Sequence, residues 1–218
     1  MPLLIAALAL AQTPPSADEL RRYTGLHRAA SHGDAVEIAR LLAQRSDPNA
    51  KDGNGRTPLH VAVFGSHEAA ARALVRGGAN PNALDAQRYD VVTIAAVKDD
   101  LTMLRLVLGL GASARNITSP YDGTALIAAA HLGHDGVVAE LIKAGAPLDH
   151  VNNLGWTAVI EAIVLGDGGR RHVATLRALV EAGANVNIAD RQGATPLTLA
   201  RTRGYREMIA ILEKAGGR

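Results

Sequence analysis

Thr57-Pro58-Leu59-His60-Val61-Ala62-Val63 is the stretch on which the fold turns. Its proline suits the first turn of a helix, where a missing N–H is no loss. The same register returns at Thr24-Gly25-Leu26-His27, Asp90-Val91-Val92-Thr93, Thr124-Ala125-Leu126-Ile127, Thr157-Ala158-Val159-Ile160 and Thr195-Pro196-Leu197-Thr198. The starting positions are therefore 24, 57, 90, 124, 157 and 195, with steps of 33, 33, 34, 33 and 38 residues. Downstream of each of the first five starts, apolar residues recur at i, i+3 and i+4: Ile38/Leu41/Leu42, Ala71/Leu74/Val75, Leu104/Val107/Leu108, Val138/Leu141/Ile142 and Leu176/Leu179/Val180. That spacing is one face of an amphipathic helix. Most units close on Gly-Ala and an Asn, as in Gly78-Ala79-Asn80 and Gly183-Ala184-Asn185, where glycine can end a helix in a left-handed cap. Each unit reads as turn, short helix, second helix, loop.

A 33-residue period carrying Thr-Pro-Leu-His is the ankyrin pattern, and the chain resembles the ankyrin-repeat family over about residues 18–216. The expected fold is an all-α ankyrin-repeat solenoid of about six helix–turn–helix units with projecting β-turn fingers. The units lie near residues 18–51, 52–84, 85–117, 118–151, 152–189 and 190–217, forming one domain over 18–217. The resemblance implies that Thr57 and His60, and in part Thr24 and His27, brace neighbouring turns. Asp90 and Thr93 replace the motif in the third unit. Ile127 and Ile160 replace its histidine in the fourth and fifth, so bracing is in question in all three.

Polar residues at the end units predict that the array starts and stops here: Arg28 at one end, and Arg201 and Glu213 at the other, occupy places that are apolar in the interior units. Ser16 and Glu19 have the spacing of a capping box for a short leading helix.

The N-terminus is a separate matter. Leu3–Ala11 is an unbroken apolar run ending in Ala9-Leu10-Ala11, which fits a small-x-small cleavage site, and Thr13-Pro14-Pro15 follows. Residues 1–11 are expected to be a signal peptide and 12–17 a linker, with a bacterial-type periplasm as the destination. The alternative is an uncleaved segment and a cytoplasmic location. The run is far short of the roughly 20 residues of a membrane helix, so no integral membrane segment is expected.

The chain has 218 residues, 48% of them hydrophobic and 20% charged, with a net charge of +2 and no cysteine. Disulfides, thiolate metal sites and a cysteine nucleophile are excluded. Lys and Arg alternate with Asp and Glu, so no basic stripe points to nucleic acid.

In the implied fold, the fingers and the ends of the first helices line a concave groove. Tyr23, Arg56, Tyr89, Trp156 and, through a one-residue insertion, Tyr121 fall in the fingers; Phe64, Lys98, His131 and Leu165 fall at the groove-side helix ends. Exposed aromatics flanked by Arg are the usual anchors of a protein-binding surface. These nine residues are the expected contacts to a protein partner, with packing between fingers the competing role for Phe64 and one or two of the tyrosines.

The fifth unit carries an insertion, Asp167-Gly168-Gly169-Arg170-Arg171. It reads as a surface insertion, with an anion cradle the alternative; no Gly-Lys-Ser/Thr follows. Glu161 replaces an apolar residue and needs a partner, for which Arg170, Arg171 or His172 are the nearest in sequence. His131 and His134 resemble a metal pair, but His134, like His67, lies at a helix junction and reads as structural; Asp99-Asp100 reads as a helix cap.

The expectation is a monomeric, non-catalytic protein-binding module with no cofactor or metal, serving as an accessory, stabilising or inhibitory subunit. The alternatives are a cytoplasmic adaptor and a metal-dependent hydrolase built on His131, His134 and the 167–171 loop.

Overall fold

The computed structural model describes residues 12–218, and the expected signal segment lies outside the described residues. Within them the chain forms a leading helix and six helix pairs. The leading helix is α1 (Ala17–Arg22), and the pairs are α2 (Gly25–Ser31) with α3 (Ala35–Ala43) and α4 (Pro58–Phe64) with α5 (Glu68–Arg76). They continue as α6 (Val91–Val97) with α7 (Leu101–Gly109), α8 (Ala125–Leu132) with α9 (Asp135–Lys143), α10 (Ala158–Val164) with α11 (Arg170–Glu181), and α12 (Pro196–Arg203) with α13 (Arg206–Lys214). The expected capping box is formed: Ser16 Oγ accepts from the Glu19 N–H at 3.2 Å and Glu19 Oε2 from the Ser16 N–H at 2.7 Å.

The first helices of successive pairs stack in one row and the second helices in another. The amphipathic face read from the sequence is the one buried. Ile38, Ala71, Leu104, Val138 and Leu176, the first members of the five triplets, are all 0% exposed. Burying one such large aliphatic side chain stabilises by about 1.5–3 kcal/mol. Both rows hold the stack together, since six of the seven residues of α4, α6 and α10 are buried as well, and the first helices also present their finger-side ends. At the C-terminal face, Arg201 pairs with Glu213 at 2.6 Å, a charged cover where other units would have a neighbour.

A recurrent side-chain clasp holds the fingers. Five residues ahead of each motif start from the second unit on stands Asp52, Asp85, Ser119, Asn152 or Asp190. Asp52 Oδ1 accepts the N–H groups of Asn54 at 2.8 Å and Arg56 at 2.9 Å. Asp190 Oδ1 does the same for Gln192 at 2.9 Å and Ala194 at 2.8 Å. Asp85 and Asn152 match them, and Ser119 Oγ does so more loosely, at 3.2 and 3.4 Å. Satisfying these loop N–H groups fixes each finger's shape. Adjacent fingers are then stitched by backbone bonds, as from the Ala86 N–H to the Asn54 carbonyl at 2.9 Å. Gly55 is required there: it sits at φ +72°, and a Cβ would fall 2.6 Å from the Ala86 nitrogen.

The histidine brace is present where the motif is complete. His60 Nδ1 lies 2.8 Å from Thr57 Oγ1 and Nε2 lies 3.2 Å from the carbonyl of Tyr89 in the next finger. His27 Nε2 reaches the Arg56 carbonyl at 2.9 Å. The third unit replaces this brace with one of its own. Asp90 Oδ1 accepts from the Thr93 N–H at 2.8 Å and hydroxyl at 2.7 Å, Thr93 Oγ1 lies 3.0 Å from Thr118 Oγ1, and Asn116 donates to Asp90 Oδ2 at 2.8 Å. Between the fourth and fifth units the link passes instead through the fingers, from the Asn153 N–H to the Tyr121 carbonyl at 2.9 Å and from Asn153 Nδ2 to the Pro120 carbonyl at 3.1 Å.

Candidate functional site: the groove between fingers and first helices

Where the repeat departs from its motif, polar groups gather on the finger side of the stack. His131, at the end of α8, lies with Nδ1 3.1 Å from Glu161 Oε2. Asn152 Nδ2 donates to Glu161 Oε1 at 3.0 Å. Glu161 is 3% exposed, and such a carboxylate is tolerable because both oxygens are bonded. Its partners are not Arg170, Arg171 or His172, as sequence proximity had suggested. They come from the adjoining unit and its own finger, because α10 turns this face toward α8 rather than toward the insertion.

These three side chains border a cavity of about 30 Å³ lined also by Tyr89, Thr93, Tyr121 and Ile127. That volume takes a water or a side-chain tip, not a metabolite. Among the described residues no hydroxyl is bonded to His131 Nε2. His134 is occupied elsewhere, with Nδ1 2.9 Å from the Ala96 carbonyl. Among the described residues no three potential ligands cluster as a metal site.

The nine expected contact residues divide. Tyr23, Phe64, Tyr121, His131, Trp156 and Leu165 are half-buried along the groove and fingers, and Lys98 is exposed. Arg56 and Tyr89 are not surface residues: they are 1% and 4% exposed. Arg56 is covered because the N-terminal segment folds over it. Its Nε donates to Asp52 Oδ2 at 2.8 Å, its Nη1 to the Thr13 carbonyl at 3.2 Å, and its Nη2 to Glu19. Tyr23 completes the cluster by donating its hydroxyl to Asp52 Oδ2 at 2.6 Å.

Burial would raise the Asp52 carboxyl pKa, but hydrogen bonds from Tyr23 and Arg56 outweigh it and hold it below the usual value. Burial opposes the charge on Arg56 too, yet the bonds to Asp52 and Glu19 leave its pKa raised. Tyr89 is packed between fingers, and burial pushes its phenol up to about 12.

Lys98 is exposed along its stem but its ammonium is engaged. It donates to the Phe64 carbonyl and to Ser66 Oγ, the latter at 2.9 Å. Burial lowers its pKa, with Asp100 opposing. Lys98 thus joins the second unit to the third, as His67, His134 and His172 join other neighbours. Asp100 caps α7 by accepting the Met103 N–H at 2.9 Å, as expected.

The insertion of the fifth unit lengthens α11 to twelve residues. Its Arg171 points back along the stack, with Nε 3.1 Å from Asp135 Oδ1 and Nη2 2.7 Å from Asp99 Oδ2. Arg171 is thus committed to carboxylates of the fourth and third units. The finger clasp at positions 52, 85, 119, 152 and 190 was the main feature that reading for motifs missed, although its fixed offset from each motif start was a visible signal.

Comparison with known proteins agrees with this architecture. A family model described as ankyrin repeats (3 copies) matches residues 3–85 and 92–190. The ankyrin repeat protein YahD of Escherichia coli strain K12 is 35% identical over 189 residues, covering 86% of this chain and 94% of that protein. The crystal structure of an ankyrin repeat domain from Acinetobacter baumannii AYE superposes with a TM-score of 0.84 at 44% identity, covering 88% of this chain and 98% of that one. The ankyrin repeat domain of Bcl-3, a member of the IκB protein family, gives a TM-score of 0.82 at 26% identity, over 90% of this chain and 88% of that one. The array is a protein-interaction scaffold, and the chain belongs to the ankyrin-repeat family.

Proposed function

We propose that this protein is a non-catalytic subunit that holds one protein partner in the groove between its fingers and first helices, and that it does so after export to a bacterial-type periplasm, as an accessory, stabilising or inhibitory component. The observation that carries the reading is the central groove of the third to fifth units. There the buried Glu161, bonded to half-buried His131 and to Asn152, is bordered by half-buried Tyr121. Such a surface is already ordered, so little side-chain entropy is lost when a partner docks.

Arg56 and Tyr89 leave the set of direct contacts because they are buried. Tyr23, Phe64, Lys98, Tyr121, His131, Trp156 and Leu165 remain, with Tyr121 and Trp156 the leading anchors by size. Export is supported by the apolar run Leu3–Ala11 and the Ala9-Leu10-Ala11 site.

The test is affinity capture of tagged full-length protein from its source cell, read by mass spectrometry, with the bait's N-terminus mapped in the same run. The expected result is an N-terminus at Gln12 and one enriched periplasmic protein, lost when Tyr121 and Trp156 are both changed to alanine. An intact Met1 with cytoplasmic proteins, or capture unchanged by the double substitution, refutes the location or the surface respectively.

A further inference from the structure

The segment ahead of α1 lies in the groove. Gln12 forms one wall of the central pocket, beside Tyr89, Thr93, Tyr121, His131 and Glu161. The Thr13 carbonyl accepts from Arg56 Nη1 at 3.2 Å. Pro14, Pro15 and Leu20 border one pocket with Val61 and Phe64. Ser16 then opens α1, whose Glu19 returns to Arg56 and accepts from Asn54 Nδ2 at 2.5 Å. Four extended residues therefore run from the shelf of the second unit to the pocket of the third to fifth.

The fit is good at one end and poor at the other. The two prolines are stiff, and half-buried Pro15 with exposed Pro14 borders the apolar Val61–Phe64 side of the groove, so little entropy opposes their placement. The Gln12 amide nitrogen and oxygen are both buried, and neither has a hydrogen-bond partner. An unpaired buried amide weakens an association by about tenfold or more. The pocket is walled by an amide whose hydrogen bonds no protein group completes.

We propose that residues 12–15 are the resident, displaceable occupant of the groove, and that the partner docks with an extended segment of the same kind. That segment sets proline or another apolar residue on the Val61–Phe64 shelf. Toward its own N-terminus it sets a side chain that completes hydrogen bonds in the pocket. This rests on the groove being the partner surface. A short tether gives the resident segment an effective concentration of about 1 mM, so only a better-bonded segment displaces it at cellular concentrations.

The chain has no cysteine, so a single introduced thiol reports on the pocket alone. Ala128→Cys and, separately, Val97→Cys place it among the pocket residues. Each is made in the full-length chain and again with Gln12→Gly, Pro14→Gly and Pro15→Gly, which release the segment ahead of α1. Circular dichroism checks that each variant remains folded. Release is expected to speed maleimide labelling at least threefold at both positions. Acetylated Gln-Thr-Pro-Pro-Ser peptide, at about 10 mM to exceed the tether's effective concentration, is expected to restore protection. The peptide with glycine in place of Gln and both Pro is expected to do nothing. Equal labelling rates at either position, a peptide that fails to protect, or a glycine peptide that protects equally overturns the proposal. The assay contains no cellular partner, so its outcome is separate from that of the capture experiment.

Discussion

In the second unit the turn is held by a buried neutral ring: His60 spans from Thr57 to the next finger's Tyr89 carbonyl. In the fifth unit the matching residue is Ile160, and the polar chemistry has moved to Glu161, bonded to His131 and Asn152 beside the central pocket. The first arrangement spends its hydrogen bonds on joining units. The second puts a carboxylate and an imidazole at the edge of the groove. Where the motif is complete its histidine is taken up between units, and where it degenerates polar side chains reach the groove. Local departures from a repeat's rule are where function is to be sought.

The comparison can be broken most directly in the second unit. Arg56→Ala leaves Asp52 and Glu19 without their cation and unties the Thr13 carbonyl. It is expected to cost about 3 kcal/mol, because removing one partner of a buried ion cluster strands the others. For a chain of this length that lowers the melting temperature by roughly 6–12 °C. Arg191→Ala, in the exposed sixth finger, is expected to change stability by less than about 0.5 kcal/mol. Similar losses in thermal melts would show that burial of the finger arginine does not matter.

His60→Ala is next, at about 2–3 kcal/mol, combining a lost brace with a cavity. His27→Ala, whose ring is half-buried at the end of the array, is expected to cost about 1 kcal/mol. Urea titration of both variants separates them, and equal losses would mean that bracing is independent of position.

Acid should act through the same histidine. Burial holds the His60 pKa below its ordinary 6.5, with Asp85 and Asp90 opposing. The unfolded chain therefore binds a proton that the folded chain resists. This stability is complete above pH 6.5 and is lost as pH falls through that value toward the lower folded one. The slope is at most about 1.4 kcal/mol per pH unit, so wild type is expected to lose roughly 1 kcal/mol more than His60→Ala between pH 6.5 and 5.5. Parallel pH profiles of the two proteins would remove His60 from the account.

A stabilising change belongs to the fifth unit. The Thr175 hydroxyl is fully buried with no partner. Thr175→Val replaces it by an apolar group of the same shape and is expected to stabilise by about 1 kcal/mol, read as a raised urea midpoint. A loss instead would mean that the hydroxyl is bonded in solution.

The fold was legible because its cause is periodic. One apolar face repeats in successive units, and Ile38, Ala71, Leu104, Val138 and Leu176 are all buried as their spacing required. Arg56 was misplaced for the opposite reason. Its cover, Thr13 and Glu19, comes from the chain ahead of the first motif, and no period announces a contact between residues 37 or 43 positions apart. Glu161 was seen to need a partner, but the search went along the chain when the answer lay 30 residues away in the neighbouring unit. In a stacked array the nearest side chain is often one period distant. Tyr89 was read as a finger residue correctly and as a surface residue wrongly: it is 4% exposed, whereas Tyr23 and Trp156 at equivalent finger positions are half-buried.

Arg171 gives the molecule a mechanical character. From the fifth unit it grips Asp135 in the fourth and Asp99 in the third, so one guanidinium spans three turns of the stack. Exposed pairs of this kind add little to the free energy of folding, but they act as a strut against bending. The strut is made of charge, and at about 1 M salt the screening length shrinks to about 3 Å. The array then becomes a softer spring of nearly unchanged melting temperature, whose groove opens and closes more freely around whatever it holds.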